Sequence, residues 1–305
     1  MPEFTIIMPC FNATKTLNES IGSLLSQTVR DWELICIEDG STDETPTLLK
    51  GWASADPRIK VMKNQGQGPS AARNLGAHHA TGEILCFCDA DDLWALNKLE
   101  NLHRAFKDDS VDGLFGRVAF FRKRGKADTH STVPAAPLTV PFLMGENPVC
   151  TSSNISIRRK AFLQSGGFDT DMVHNEDLEW LIRIVGSGAT IKGLAQLHVW
   201  YRTNPQGLSS DLVAMSRSRQ RVLATACSFG FSPDKRAEAI YFRYLARRSL
   251  RLGHYGRSAL YLTMKGILQS PVGFLFPLRR GLVTALCSLC APMMPKAFRR
   301  SLFSR

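Results

Sequence analysis

Three carboxylates stand together at Asp89-Ala90-Asp91-Asp92, directly after the apolar run Ile84-Leu85-Cys86-Phe87-Cys88. A run of that length suits a buried strand, and the carboxyl ends of such strands are where open α/β sheets bind ligands. Closely spaced oxygen-only donors suit a hard divalent cation such as Mg²⁺ or Mn²⁺. The same acids could instead cap the segment Leu93 to Leu96, which reads as the start of a helix, and oppose its dipole. A second acidic group, Glu176, Asp177 and Glu179, follows Asn175 in what reads as a first helical turn capped by that asparagine; compensation of the helix dipole is the plain alternative to chemistry there. Asp39 lies in the polar loop Glu38 to Asp43, and a single Arg73 follows the glycine-rich turn Gln65 to Pro69. An arginine among carboxylates suits a phosphate bridged to a metal; taken alone, Arg73 reads as a helix-surface residue.

The elements that must position these groups alternate in type. Phe4 to Met8 reads as a strand, Thr16 to Gln27 as a helix, Trp32 to Ile37 as a strand and Thr45 to Ala53 as a helix. Ile59 to Met62 is a third strand, and Pro69 is well placed to start a helix over Ser70 to Ala80. The alternation predicts an α/β fold with a largely parallel sheet. Parallel strands point one way, so Asp39, Arg73 and Asp89 to Asp92 are expected on one edge. Beyond Trp94 the sequence predicts a helix to about Lys107 and a strand over Gly113 to Phe121. Arg122 to Pro148 reads as a long loop with one short helix over Val140 to Met144. A strand over Cys150 to Ile157, a short helix over Arg158 to Gln164 and a pair of short strands within Ala189 to Tyr201 complete this part.

From about Leu212 the composition turns helical. Ile240, Tyr241, Tyr244, Leu245 and Leu252 form an apolar face, with Arg243, Arg247 and Arg251 opposite or flanking it. This helix pairs with a second, over Ser258 to Leu268, across a turn at Gly253 to Gly256. The sequence therefore divides at 211/212. The net charge of +11 divides there too: from Met215 onward 17 Lys+Arg face two acids, Asp234 and Glu238, whereas residues 1–214 carry 21 basic and 25 acidic residues. A slightly acidic body argues against nucleic acid as a partner, and the basic tail points to an anionic surface. Pro271 to Arg305 mixes apolar stretches with arginines, as a segment lying on a membrane surface would. The alternative is a helix packed on the main domain with a solvated basic face.

Eight cysteines, four of them in or beside strand-like runs, read as buried thiols of a reducing compartment. Cys287 and Cys290 have CxxC spacing but no companion pair. Phe4 to Met8 reads as a strand rather than a secretory leader, and no uncharged apolar run reaches the roughly 20 residues that span a bilayer. A cytoplasmic location is expected.

Taken in order, several motifs together resemble one family. They are Ile6-Ile7-Met8-Pro9-Cys10-Phe11-Asn12, Ser23-Leu24-Leu25-Ser26-Gln27-Thr28, Glu38-Asp39-Gly40-Ser41-Thr42-Asp43, Gly68 to Gly76, Ala80-Thr81-Gly82-Glu83, Asp89-Ala90-Asp91-Asp92, Gly166-Gly167-Phe168-Asp169 and Glu176-Asp177 with Trp180-Leu181, followed by Tyr201-Arg202. Over about residues 4 to 210 the chain resembles the inverting family-two glycosyltransferases of the GT-A fold. The resemblance implies a mostly parallel, mixed central sheet. It also implies a nucleotide-sugar donor, most often a UDP-sugar, and a divalent metal, Mn²⁺ or Mg²⁺. By position, it implies that Asp39 reads the nucleobase, that Pro9 and Phe11 line base and ribose, and that Arg73 lies near the diphosphate. Asp89 and Asp91 would contact the ribose and hold the metal, with Asp92 beside them, and Asp177 would be the general base. The family more often has aspartate where Glu38 stands here. The acceptor is expected to be a saccharide or lipid-linked saccharide of a cell-surface polysaccharide. A sugar nucleotidyltransferase and an inactive sugar-nucleotide-binding protein are the competing readings.

Overall fold

The computed structural model describes residues 1–123, 125–203, 211–252 and 256–295. They fall into two compact units: Met1–Leu138 with Pro148–Thr203, and Thr139–Asn147 with the described residues from 211 on. The segment around the short helix within the long loop thus belongs with the C-terminal helices.

The first unit begins with β1 (Phe4–Cys10), α1 (Leu17–Leu25), β2 (Trp32–Glu38), α2 (Thr45–Ala55), β3 (Ile59–Lys63), α3 (Gly68–His79) and β4 (Ile84–Phe87). β3, β2, β1 and β4 lie side by side, all parallel, with Ile7 of β1 between Ile35 and Phe87. Both faces of β1 and β2 are buried, which explains their continuous rather than alternating apolar sequence. Gly76 lets α3 lie close on β1, because a Cβ there would stand 2.5 Å from the Ile7 side chain.

After β4 the sheet becomes mixed. β5 (Leu93–Trp94) is followed by α4 (Lys98–Ala105), β6 (Gly113–Lys123) and β7 (Lys126–His130). Past the segment of the other unit come β8 (Ile155–Arg158), α6 (Arg159–Gln164), α7 (Glu176–Gly186) and β9 (Ile191–Arg202), where α5 (Val140–Gly145) is the helix of that segment. The strand order is β3-β2-β1-β4-β8-β6-β9-β5, with β7 paired to β6. β8 runs antiparallel to β4 and β6, whereas β6 and β9 are parallel.

Three expectations are corrected here. Leu93-Trp94 does not begin a helix; it pairs with Trp200 and Val199 as β5, and the helix starts at Lys98. The residues within Ala189 to Tyr201 form one long strand rather than two. The long loop after β6 contains a hairpin strand, β7, that its charged sequence concealed.

The second unit holds α5, α8 (Leu212–Ser228), α9 (Lys235–Leu252), α10 (Gly256–Gln269), α11 (Pro271–Leu275) and α12 (Leu278–Cys290). The Asp211 side chain caps α8 by accepting from the amides of Val213 and Ala214. Arg243, expected opposite or flanking the apolar face of α9, is buried (3% exposed) and donates to the carbonyls of Gly273 and Phe274, each at 3.0 Å, and of Phe276. Of the turn expected at Gly253 to Gly256, the first three residues lie outside the described residues, as does the tail from Lys296, and Gly256 opens α10. No described helix is long and apolar enough to cross a membrane.

Candidate active site

The carboxyl ends of β1, β2 and β4 meet at one edge of the first unit's sheet. At the end of β2, the Asp39 amide donates to the Cys10 carbonyl at 2.9 Å, which ties the two strand ends together. Its carboxylate accepts from Asn64 Nδ2 at 2.6 Å and from the amide of Gly68 at 3.0 Å. Gly68 opens α3 with φ +83°, a conformation in which a side chain would be strained. A shallow depression lined by Val61, Met62, Lys63, Asn64, Gln65 and Leu75 adjoins this point. Pro9 is half-buried in β1, and Phe11, just past it, is 59% exposed.

Arg73 is not a helix-surface residue. It is 4% exposed, and its Nη2 donates to Asp89 Oδ1 at 2.6 Å while Nη1 donates to Glu176 Oε1 at 3.3 Å. Burial pulls the guanidinium pKa down, but Asp89 and Glu176 outweigh it and hold it above its ordinary value. The floor beneath is aromatic: Phe168 lies 5.6 Å from the guanidinium and packs against Phe87, Phe162 and Trp180. Asn74 on α3 pins this loop, since its Nδ2 donates to the Phe168 carbonyl and its Oδ1 accepts the Phe168 amide, both at 2.8 Å. Gly167 (φ +72°) lies so near Asn74 that a Cβ would stand 2.5 Å from its Oδ1. The Gly-Gly-Phe motif therefore seats α7 and its leading acids against α3.

The acidic loop after β4 is held from several sides. The Asp92 amide donates to the Asp89 carbonyl at 3.1 Å, closing a turn. The Asp89 amide donates to Ser153 Oγ at 2.9 Å, and the Thr151 hydroxyl lies 3.4 Å from Asp89 Oδ2 and 3.5 Å from Asp92 Oδ2. From the end of β9, the Arg202 amide donates to Asp92 Oδ1 at 3.0 Å and its Nε to the Asp91 carbonyl at 2.9 Å. Beneath lies fully buried Lys98, which donates to the Ser153 carbonyl at 2.7 Å and sits 3.7 Å over the Trp94 ring. Burial draws its pKa down to about 8.

These surroundings give the three acids different characters. Asp92 is fully buried, and burial followed by the charges of Asp91 and Asp89 pushes it well above the carboxylate range; its partners make it a brace of the loop. Asp91 is raised to about 6 by burial and then by Asp89. Asp89 is partly exposed, with 27% of its side chain open. Among the described residues no three His, Cys, Asp or Glu side chains form a ready-made metal cage. A hard cation on a diphosphate needs only one or two protein carboxylates, the remaining ligands being phosphate oxygens and water. Asp89 and Asp91, two mutually repelling oxygen donors, fit that requirement.

α7 supplies the remaining acids. Asn175 precedes it with φ 59° and makes no side-chain cap hydrogen bond, contrary to the capping role expected for it. Asp177 is half-buried and accepts its neighbour Leu178's amide at 2.8 Å. Glu176 is pushed up to about 7 by burial and then by the charge of Asp177, with Arg73 opposing. The structure thus groups Arg73, Asp89 and Glu176 by direct contact, joins Asp177 to them through its charge on Arg73 and Glu176, and joins Asp91 and Asp92 through the charge of Asp89 on both. Asp39 forms a separate polar point at the neighbouring strand end. Lys98, Thr151 and Ser153 were not picked out by sequence reasoning, and Arg202 stood out only as the end of the motif series, without a role.

The model of Glycosyl transferase family 2 matches residues 5–166, more than half of the chain. The chain belongs to glycosyl transferase family 2. Among curated relatives, the UDP-Glc:alpha-D-GlcNAc-diphosphoundecaprenol beta-1,3-glucosyltransferase WfgD of Escherichia coli is 37% identical over 113 residues, 37% of this chain and 44% of that protein. The match thus spans less than half of that relative. Solved structures share the GT-A-like fold across nearly the whole chain. Residues 1–349 of S. aureus TarS in complex with UDP superpose with TM-score 0.62 at 16% identity, covering 95% of this chain and 91% of that one. The mannosyltransferase PcManGT from Pyrobaculum calidifontis, in complex with GDP-Man and Mn²⁺, gives 0.61 at 18% identity, covering 99% and 84%. In this family-two chain the mixed sheet and helical C-terminal region accord with the fold that the motifs implied.

Proposed function

We propose that this glycosyltransferase moves a sugar from a UDP-sugar to an acceptor hydroxyl with inversion at the anomeric carbon. The observation that carries the reading is the arginine–carboxylate cluster of Arg73, Asp89 and Glu176, with Asp91 and Asp177 beside it, at the strand edge that also holds Asp39. WfgD, named for a UDP-sugar, supports a uridine donor.

Asp39 is already oriented by Asn64 and Gly68, and its carboxylate retains lone pairs to accept an N–H of the base. Pro9 and Phe11 flank it, and the exposed Phe11 ring can cover base and ribose. Asp89 and Asp91 would hold a divalent cation, Mn²⁺ or Mg²⁺, which neutralises charge on the departing nucleotide diphosphate. Arg73 supplies a second, permanent positive charge to that group. In the present arrangement Nη1 and Nη2 are engaged by Glu176 and Asp89 and the buried Nε has no partner, so binding of a diphosphate at the Nη groups requires them to share or exchange these carboxylates. Asp177 takes the proton from the acceptor hydroxyl as it attacks, a role that needs a carboxylate outside the diphosphate's ligand set. Glu176, held near neutrality, supports Asp177 and is the next candidate for the base.

For the acceptor we infer a saccharide or lipid-linked saccharide at the cytoplasmic face of a membrane, a class to which the diphosphoundecaprenol substrate named for WfgD belongs. A thermal-shift panel of nucleotide sugars with and without Mn²⁺ tests the donor, because a ligand that binds only the folded chain raises its melting temperature. UDP-sugars are expected to give the largest shift, dependent on the cation; a panel with no shift would remove the reading. Product analysis of the turnover reaction is expected to yield UDP. Release of pyrophosphate would instead indicate a nucleotidyltransferase.

A further inference from the structure

The helical unit reverses the usual pattern of a surface helix. Along α12, Gly281, Thr284 and Ser288 face inward, and the buried Ser288 hydroxyl accepts from Thr263 Oγ1 of α10 at 2.9 Å. On the other side of the same helix, Leu278, Leu282, Val283, Leu286 and Leu289 are between 46% and 60% exposed. α10 repeats the arrangement. Ala259 and Thr263 are buried, whereas Tyr261, Met264 and Leu268 are 62%, 56% and 83% exposed. These helices pack on one another through small and hydroxylic residues and present their large apolar residues outward. A helix facing water carries its polar residues outward, and apolar exposure on this scale marks an interaction surface.

Charge decides what covers it. No Asp or Glu follows Glu238 anywhere in the sequence. Lys265, beside Met264 and Leu268, and Arg279, between Leu278 and Leu282, are both exposed. An apolar surface studded with cations and devoid of acids complements anionic headgroups and disfavours a second copy of itself. We propose that the outward faces of α10 and α12 lie in the interface of an anionic membrane, with the leucines toward the acyl chains and Lys265 and Arg279 at headgroup level. None of the described helices is long and apolar enough to cross the bilayer, and the contact proposed for α10 and α12 lies along its surface. The surface starts upstream of Pro271, where composition alone had placed it, and it does not depend on the sugar-transfer chemistry.

The test is co-sedimentation of the full-length chain with phosphatidylcholine vesicles, with and without phosphatidylglycerol. The parent chain is expected to bind the anionic vesicles and to bind about tenfold more weakly without phosphatidylglycerol. The triple variant Leu282→Gln, Leu286→Gln, Leu289→Gln is expected to lose at least about tenfold in partitioning, the result of removing three leucines from the interface. Its melting temperature and its nucleotide-sugar thermal shift are expected to match the parent, so a failed donor reading and a failed membrane reading remain distinguishable. A chain ending at Pro295 is expected to retain binding. Binding unchanged in the triple variant, or lost only on that truncation, overturns the proposal; the second result would assign the role to residues 296–305. A dimer in sedimentation velocity that the triple variant disperses, without vesicle binding by the parent, would make the face a self-association surface and equally overturn it.

Discussion

Asp92 and Lys98 of the sheet unit are completely buried, whereas Leu286 and Leu289 of the helical unit are 60% and 56% exposed. Each unit departs from the rule that charge faces water and leucine does not, in opposite directions. A buried ion costs several kcal/mol unless partners compensate it, and the sheet unit supplies partners: Thr151 and Arg202 for Asp92, the Ser153 carbonyl for Lys98, and Asp89 with Glu176 for Arg73. That expenditure fixes polar groups in position ahead of any ligand. The helical unit also buries cations, Arg219 beside Glu238 and Arg243 on backbone carbonyls, and what sets it apart is the exposure of its large apolar residues. Its leucines, about half exposed, forgo roughly 1–1.5 kcal/mol of burial apiece until something covers them. Clustered, mutually perturbed carboxylates therefore point to chemistry in one unit, and exposed apolarity to a surface contact in the other.

The comparison breaks most sharply at Asp177. Asp177→Asn is expected to lower kcat by about a thousandfold, within the range for loss of a general base, while the donor-induced thermal shift stays near that of the parent. Turnover close to normal in this variant would move the base elsewhere, with Glu176 the first candidate. The corresponding substitutions in the helical unit leave kcat on a soluble acceptor unchanged.

Arg73→Met is the next largest effect, and it falls on stability as well as activity. Removing the guanidinium leaves Asp89 and Glu176 without their shared cation, and breaking a buried ion pair in this way costs about 3–5 kcal/mol. Chemical denaturation is expected to show a loss of that order. Adding Glu176→Gln to Arg73→Met should restore part of it, because one stranded carboxylate disappears. Additive losses would mean that the two side chains do not stabilise each other.

Glu176 gives the sheet unit a pH signature of definite sign. Its folded pKa of about 7, raised by burial and then by Asp177, exceeds the ordinary value of 4.5. The folded chain therefore holds this proton more tightly than the unfolded chain. The associated stability is complete below pH 4.5 and is lost as pH rises through about 7, to a total of about 3 kcal/mol. Glu176→Gln, measured at pH 5 and pH 8 beside the parent, should flatten that part of the profile. An identical fall with pH in both proteins would assign the proton to another group.

Much of this unit was legible in the sequence. β1 to β4 announce themselves as apolar runs of strand length closed by polar turns, and Pro69 marks the start of α3. Asp39, Arg73, Asp89, Asp91 and Asp177 stood out through their motifs, although the structure alone reveals that Arg73 is buried between two carboxylates. The supports of the acidic loop were not legible for a physical reason. Thr151 and Ser153 reach it across long stretches of chain, Lys98 comes from the start of the next helix, and a single hydroxyl or cation in a polar segment has no periodicity. β5 was misread because two residues are too few to show a strand period. In the helical unit the sequence displayed both the leucines and the arginines. Which residues of α12 face inward is set by the packing of Thr284 and Ser288, a tertiary choice that composition does not encode.

That choice supplies the smallest effect and the most direct check on the helical half of the comparison. Leu286→Gln alone is expected to change unfolding free energy by no more than about 0.5 kcal/mol, as for surface substitutions generally, because the leucine has no packing to lose. Ser288→Ala, two residues away, removes the buried partner of Thr263 and is expected to cost about 1 kcal/mol, the net worth of a typical hydrogen bond. Replacing a leucine on a helix ordinarily costs more than replacing a serine, so the expected order runs against the usual one. Denaturant titration of the two variants in vesicle-free buffer decides it. Should Leu286→Gln prove the more damaging, the leucine face is packed within the free protein, and no lipid is required to explain it.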